Sequence, residues 1–503
     1  MELFKLVCRG SRLSLAQADI FKQKLLTLDP TFQVEITIKE TKGDLNQAQP
    51  LTDLEGRDFF TKDIQDALQQ GEADFAVHSM KDISGENFFK DNTYAVIERE
   101  VAHDVAIFNA NVEEKIALGQ PLQIGTSSPR RIEMAKQFLQ NALPTSQQKR
   151  SILETRSIRG NVDTRLKKLD TGEYDGIILA CAGLNRLLRI EQSPGELQSL
   201  LQKKKIMVLP LLYCPPAPGQ GAIVVETTSN NNRAVEMLKR VNNLPLAAAV
   251  NEERKIAHQY GSGCHQKFGV VHIPLVEYEF TYAAGKDRLD QDFVEMTFER
   301  PATQQSFFSV EDATFFDAHS TWSIDVSSKN LFIDTVATPA RLFLQQLKDK
   351  RIWVSETKNW FNLAKEGLWV EGSAEGFGIG FLNPVFNAPL IGINPVSFQI
   401  VTHSLAYYYW RIRGYQYTII QEPVLIPSIE VLQKLAKADV VFWSGFWQYK
   451  ALHSHLKKDV IHACATDGTQ ELFRDAGMKP LVFPCHQLFN EWKRKNTIVI
   501  NGG

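Results

Sequence analysis

The 503-residue chain has no run of eighteen apolar residues. Its most aromatic stretch, Leu405 to Trp410, is too short to cross a bilayer. No membrane span is expected. The opening Met1-Glu2-Leu3-Phe4-Lys5 has only a short apolar stretch, and Arg9, Arg12 and Asp19 follow, so it does not read as an export signal. Cysteine is sparse. Cys8, Cys181, Cys214, Cys264, Cys464 and Cys485 are scattered, with no CxxC pair and no metal-ligand spacing. That pattern predicts a reduced, cytoplasmic protein without a metal centre, in which any one thiol is by default buried and inert. Excess charge is lacking too. With 56 Lys and Arg against 58 Asp and Glu, nothing in the total attracts nucleic acid or an anionic membrane. Any basic site is a local cluster. There is no glycine-rich Walker loop, and aromatic residues are not interleaved with the arginines.

What is present is length and an ordinary soluble balance, 44% hydrophobic and 23% charged, which together predict three or four domains. Residues 3–9 read as a strand, 13–26 as an amphipathic helix and 34–38 as a half-buried strand. A second helix over 61–70 breaks at Gly71, and the strand from Phe75 follows. An internal echo links this region to a later one. Leu68-Gln-Gln-Gly-Glu-Ala-Asp-Phe-Ala-Val-His-Ser79 matches Leu169-Asp-Thr-Gly-Glu-Tyr-Asp-Gly-Ile-Ile-Leu-Ala180. Each is a helix end, then Gly-Glu-x-Asp, then a buried strand. Ligands of open α/β sheets bind at the C-terminal ends of strands. Two α/β domains facing each other across a cleft is therefore the economical reading, with chance similarity of a short motif as the alternative. The proline-rich Pro210 to Pro218 reads as a crossing between domains. Helices over 232–242 and 247–260, a Gly261-Ser-Gly-Cys264 turn and strands to about residue 300 make a small α+β domain. From about residue 330, strand and helix alternate through Val440–Trp443, Val460–Ala463 and Leu481–Phe483, which predicts a separate module with a parallel sheet.

Chemistry concentrates in a few places. Gly125-Thr126-Ser-Ser128-Pro-Arg130-Arg131 joins a strand to a helix, where backbone donors and forked guanidinium groups suit anions. Arg156, Arg159 and Arg165 lie within ten residues, Arg186 follows the second echo strand, and Arg9 with Ser11 follows the first strand. The set suits a ligand with several carboxylates. Phosphate or nucleic acid is the other functional reading, and a solvated face is the bland one for any single arginine. Asp82, just past the echo strand in His78-Ser79-Met80-Lys81-Asp82, is either a surface pair or cap, or a carboxylate that stabilises a developing cation. Cys264 lies between Gly263 and His265, where the thiol can approach a ligand closely.

These blocks, with Arg9-Gly-Ser-Arg-Leu-Ser-Leu-Ala-Gln17, Lys42-Gly-Asp44, Arg159-Gly-Asn-Val-Asp-Thr-Arg165, Gly219-Gln-Gly-Ala222 and Gly263-Cys264, stand in the order seen in porphobilinogen deaminases, and residues from about 5 to 310 resemble that family. The resemblance implies an α/β fold of two domains like type II periplasmic binding proteins, plus a small α+β domain that carries a cofactor. Expected boundaries are 1–98 with 208–227, 99–207, and 228–325, followed by a C-terminal α/β module over 330–503. The implied activity is a transferase, hydroxymethylbilane synthase, that joins porphobilinogen units into a linear tetrapyrrole with loss of ammonia. Cys264 would carry covalent dipyrromethane, and Asp82 would contact pyrrole nitrogens and stabilise the cation. Ser79, Lys81, Thr126, Ser128, Arg130, Arg131 and Arg159 would hold the cofactor. Arg9, Ser11, Gln17, Phe60, Arg165 and Arg186 would hold substrate. Four positions depart from the family pattern: Arg57, Asp58, Ser84 and His103. The C-terminal module resembles uroporphyrinogen-III synthase in Asp439-Val-Val-Phe-Trp-Ser-Gly, Cys464-Ala-Thr-Asp-Gly-Thr-Gln-Glu-Leu-Phe-Arg-Asp-Ala-Gly477 and Pro480-Leu-Val-Phe. That resemblance implies a hand-off of product to a cyclising activity, or else a non-catalytic remnant.

Overall fold

The computed structural model describes residues 2–39, 61–83, 92–145, 150–191, 195–261, 266–275, 279–298, 306–309, 326–334, 341–404, 406–421, 427–466 and 468–497. The chain separates into two compact units, one of residues 1–141, 146–298 and 388–390, the other of the remainder.

In the first unit, strands β1 (Leu3–Arg9), β2 (Gln33–Lys39), β3 (Phe75–Ser79) and β4 (Asn92–Arg99) form one sheet with β10 (Ala222–Thr228), in the order β2-β1-β3-β10-β4. Strands β5 (Asp104–Phe108), β6 (Leu122–Gly125), β7 (Leu153–Arg156), β8 (Gly176–Ala180) and β9 (Lys205–Val208) form a second, in the order β7-β6-β8-β5-β9. The two orders correspond strand for strand. β10 runs antiparallel to β3 and β4, as β5 does to β8 and β9. The echo strands β3 and β8 hold the same central place, so the repeated Gly-Glu-x-Asp marks a structural repeat. The chain crosses between the sheets twice, before β5 and between β9 and β10.

Apolar alternation builds the first core. Phe4, Leu6, Phe21, Phe75 and Val225 pack together, with Phe21 and Phe75 edge to face at 5.0 Å. Helix Arg12–Leu28 starts there because the Ser11 hydroxyl accepts the Ser14 N–H. Helix Asn232–Val241 also contributes Ala234 and Leu238 to this core. A third sheet, antiparallel, is made of β11 (Lys267–Pro274), β12 (Glu279–Lys286) and β13 (Asp292–Met296) and packs on helix Leu244–Tyr260.

The second unit holds two further sheets. β14 (Phe307–Ser309) pairs in parallel with β20 (Val440–Trp443) and is followed in that sheet by β21 (Ile461–Ala465) and β22 (Leu481–Phe483). Between β14 and β20 the chain builds another sheet from β15 (Asn330–Ile333), β16 (Arg351–Val354), β17 (Gly372–Ser373), β18 (Gln399–His403) and β19 (Gln416–Gln421), in the order β17-β16-β15-β18-β19. Both sheets are wholly parallel. No described helix in either unit is long and apolar enough to cross a membrane.

Candidate active site at the strand ends of the first unit

β3 is buried along its length and ends in a single 3-10 turn, Met80–Asp82. Met80 points inward, while Lys81 and Asp82 reach solvent. The turn lies against the second crossing segment at Gly219, whose φ is +72°. A Cβ there would stand 2.7 Å from Met80 Cγ, so only glycine fits the approach and the backbone angle together. At Gly221, φ +86°, an added Cβ would meet the Glu100 carbonyl oxygen more closely still. The Gly-Gln-Gly motif is thus the place where the two crossings touch.

The Lys81 ammonium is lowered to about 8, chiefly by loss of hydration and further by Arg131 and Arg130, against the opposing pull of Asp82 and Asp104. Ser79 ends β3, and Gln17 Nε2 donates to its hydroxyl at 2.8 Å. Gln17 is buried, so two of the expected ligand contacts are here engaged with each other. Ser11 caps a helix, and Arg9 closes β1.

On the second sheet, β6 leads into helix Pro129–Ala142. Thr126 is buried, its N–H donating to Arg156 O and its hydroxyl accepting from Ser128 N. Arg130 and Arg131 do not stand open to solvent. They are 5% and 9% exposed, and both bind Asp104, itself 1% exposed. Arg130 Nη2 donates to Asp104 Oδ2 at 2.8 Å and its Nη1 to Pro215 O at 2.8 Å. Arg131 grips the same carboxylate with Nε at 3.2 Å and Nη2 at 2.7 Å, and its Nη1 reaches Ile178 O. Burial alone would raise the Asp104 carboxyl, but the two guanidinium groups outweigh it and hold the group well below the usual carboxylate range. Arg186 is also committed. Its Nη2 donates to Gly221 O at 2.7 Å and lies near Glu98.

Arg165, on helix Val162–Asp170, donates Nε to Gly160 O at 2.8 Å. Burial, then Arg131 and Arg159, bring it down to about 10. Burial also lowers Arg159. Among the described residues, neither Lys81 nor Arg165 forms a salt bridge. The two are cations of different domains, and each feels the repulsion of Arg131. Such an arrangement recruits carboxylates.

The family model described as porphobilinogen deaminase, dipyromethane cofactor binding domain, matches residues 4–236. The probable porphobilinogen deaminase of Pyrobaculum islandicum is 34% identical over 285 residues, covering 56% of this chain and 87% of that protein. That of Hyperthermus butylicus is 34% identical over 267 residues, 53% of this chain and 80% of that protein. The porphobilinogen deaminase of Fusobacterium nucleatum is 35% identical over 263 residues, 52% and 80%. The chain belongs to the porphobilinogen deaminase family. Among solved structures, the extracellular-binding protein ytmK of a probable Bacillus subtilis amino-acid ABC transporter aligns at 9% identity. It covers 52% of this chain and 97% of that one with a TM-score of 0.28, and the strand order above carries the fold without it.

Of the residues expected for a porphobilinogen deaminase, Cys264 and Phe60 lie outside the described residues, as do Arg57, Asp58 and Ser84. His103 is buried beside Asp104. Burial lowers it to about 4 against the opposing Asp104 charge, so it is neutral at pH 7. Sequence reasoning passed over Asp104, Gln220 and Glu253. Gln220 Nε2 donates to Asp104 Oδ1 at 2.9 Å and to Ala102 O, joining the two crossings. Glu253, fully buried on helix Leu244–Tyr260, accepts from Gly219 N and His272 N, both at 2.7 Å, and pairs with Arg99 at 2.8 Å.

Proposed function

We propose that this chain is a hydroxymethylbilane synthase that joins porphobilinogen units head to tail with release of ammonia. The observation that carries the reading is a group of cations, Lys81 beside Asp82 at the end of β3 and Arg165 with Arg131 and Arg159 on the second domain, in a deaminase-family fold. The cofactor of this family is dipyrromethane, a polycarboxylate, and a donor set of Lys81, Arg131, Arg159 and Arg165 fits its chemistry. Cys264 is the proposed thioether anchor. When bound, dipyrromethane supplies the free pyrrole α-carbon from which the chain starts. Lys81 and Arg165 bind acetate and propionate groups and orient each incoming ring. The Asp82 carboxylate would contact the pyrrole nitrogens of bound rings, and its charge would stabilise the cation left when porphobilinogen loses ammonia. The five described cysteines are buried and none forms a disulfide, in keeping with a reducing cytoplasmic setting. Incubation with porphobilinogen should consume it, with ammonia released in step. Full turnover by Asp82→Asn would remove that residue from the mechanism.

A second reading concerns the C-terminal unit, and one observation favours it. At the C-terminal end of central β15, Asp334 is partly buried and accepts from Thr402 Oγ1 at 2.9 Å and Trp410 Nε1 at 3.0 Å. There the strand order turns from β15-β16-β17 to β18-β19, the usual ligand position in a parallel sheet. A cyclising unit would receive hydroxymethylbilane by hand-off and close it to uroporphyrinogen III. Type III product from the full chain and porphobilinogen supports that reading; type I alone rejects it.

A further inference from the structure

Arginine has five N–H donors and a carboxylate about four acceptor positions. Asp104 receives four donors: Arg130 Nη2, Arg131 Nε, Arg131 Nη2 and Gln220 Nε2. Its acceptor capacity is filled, so it has nothing left for a pyrrole nitrogen or an ammonium group. Both arginines keep unused donors, and they differ in how they are held: Arg130 gives Asp104 one N–H, Arg131 gives it two. Arg130 is tied at both ends, to Asp104 and to Pro215 O in the second crossing segment, and is a strut. Arg131 keeps one N–H on each terminal nitrogen after binding Asp104 and Ile178 O. It is also the neighbour whose charge both Lys81 and Arg165 feel. Asp104 opens β5 directly after the first crossing, and Gln220 lies in the second. The carboxylate therefore fixes Arg131 relative to both connections between the sheets.

We propose that Asp104 is a positioning residue, whose saturated carboxylate orients Arg131 so that the remaining guanidinium donors receive a carboxylate of the growing pyrrole chain. The proposal rests on the deaminase reading above. A buried ion pair that served stability alone would leave substrate affinity untouched in whatever protein folds. A positioning role would not.

The experiment compares Asp104→Glu, Asp104→Asn, Arg131→Gln and the double variant Asp104→Asn/Arg131→Gln as full-length holoprotein. Porphobilinogen KM and the mass distribution of enzyme-bound intermediates are measured on protein that has retained its cofactor. Asp104→Glu keeps the charge but moves the carboxylate by one methylene. It should raise KM on the order of tenfold and enrich incomplete chains, the loss expected for one charge-assisted contact. Asp104→Asn should do the same or more. The double variant should stay within about twofold of Arg131→Gln alone, because both changes remove one interaction. Wild-type KM and intermediate distribution in Asp104→Glu overturn the proposal, as do multiplying effects in the double variant. A wild-type profile in Arg131→Gln overturns it whatever the Asp104 variants do. Failure of the unsubstituted protein to consume porphobilinogen sinks the function reading instead, so the two failures are distinguishable.

Discussion

Replacing Glu253 by glutamine should destabilise the first unit far more than a charge-neutralising change of this size usually does. Glu253 is fully buried, and each of its oxygens is in use. Oε2 accepts from Gly219 N, while Oε1 accepts from His272 N and pairs with Arg99 Nη2 at 2.8 Å. Glutamine retains one acceptor oxygen. Whichever way its amide turns, an NH2 group then faces an N–H donor, and Arg99, whose side chain is only 10% exposed, loses its counterion. Breaking a buried pair from one side costs about 3–5 kcal/mol. For a unit of this size, each kcal/mol lowers Tm by roughly 2–4 °C, so a fall of about 6–20 °C is expected. The adjacent Glu252→Gln is the control. It loses only an exposed i,i+3 pair with Lys255 at 3.7 Å and should change stability by no more than about 0.5 kcal/mol. Thermal unfolding followed by calorimetry gives both values. A Glu253→Gln protein melting within about 2 °C of the unsubstituted one would refute the argument that this carboxylate joins the crossing segment, the first domain and β11.

Asp82→Asn should lower kcat by about 10²-fold or more, because its charge acts on a cation present only along the reaction path. Its Tm should barely change, since Asp82 lies in a solvent-contacting turn; a large loss of Tm with normal kcat would reverse that assignment. Lys81, lowered to about 8, should lose its proton as pH rises through that value, so kcat/KM should fall above about pH 8. Lys81→Arg, always charged, should abolish that alkaline limb, and a limb that persists would place the titration elsewhere.

The central α/β repeat was legible in the sequence because two independent signals coincided: a Gly-Glu-x-Asp motif and a buried strand in each copy. Helix starts were legible where a capping side chain announced them, as at Ser11. The short strand β14 was not. β14 is only Phe307–Ser309, and three residues show no periodicity; its partner β20 lies more than a hundred residues on. Helix Asn232–Val241 was recognised, but amphipathicity does not say which sheet it covers. Within the site, the arginines were found and their states were not. Adjacent arginines at a helix start read as open anion donors, while a buried guanidinium pair requires a counterion. The acid that supplies it, Asp104, opens a strand behind a valine-alanine-histidine stretch and has no motif of its own. A usable signal would have been the demand itself: two arginines next to an apolar helix face call for a carboxylate on a neighbouring strand. Glu253 was hidden differently, since Asn251-Glu-Glu-Arg254 looks like a solvated helix face.

The most direct test of the account is the intact mass of the purified full chain before and after a brief exposure to porphobilinogen. The account predicts a protein heavier than its sequence by one dipyrromethane. Peptide mapping should place the added mass on Cys264 and on none of the other five cysteines. Substrate should then add a ladder of equal steps, one pyrrole unit each. A protein of unmodified mass that gains no steps, or an adduct on a different cysteine, would contradict it.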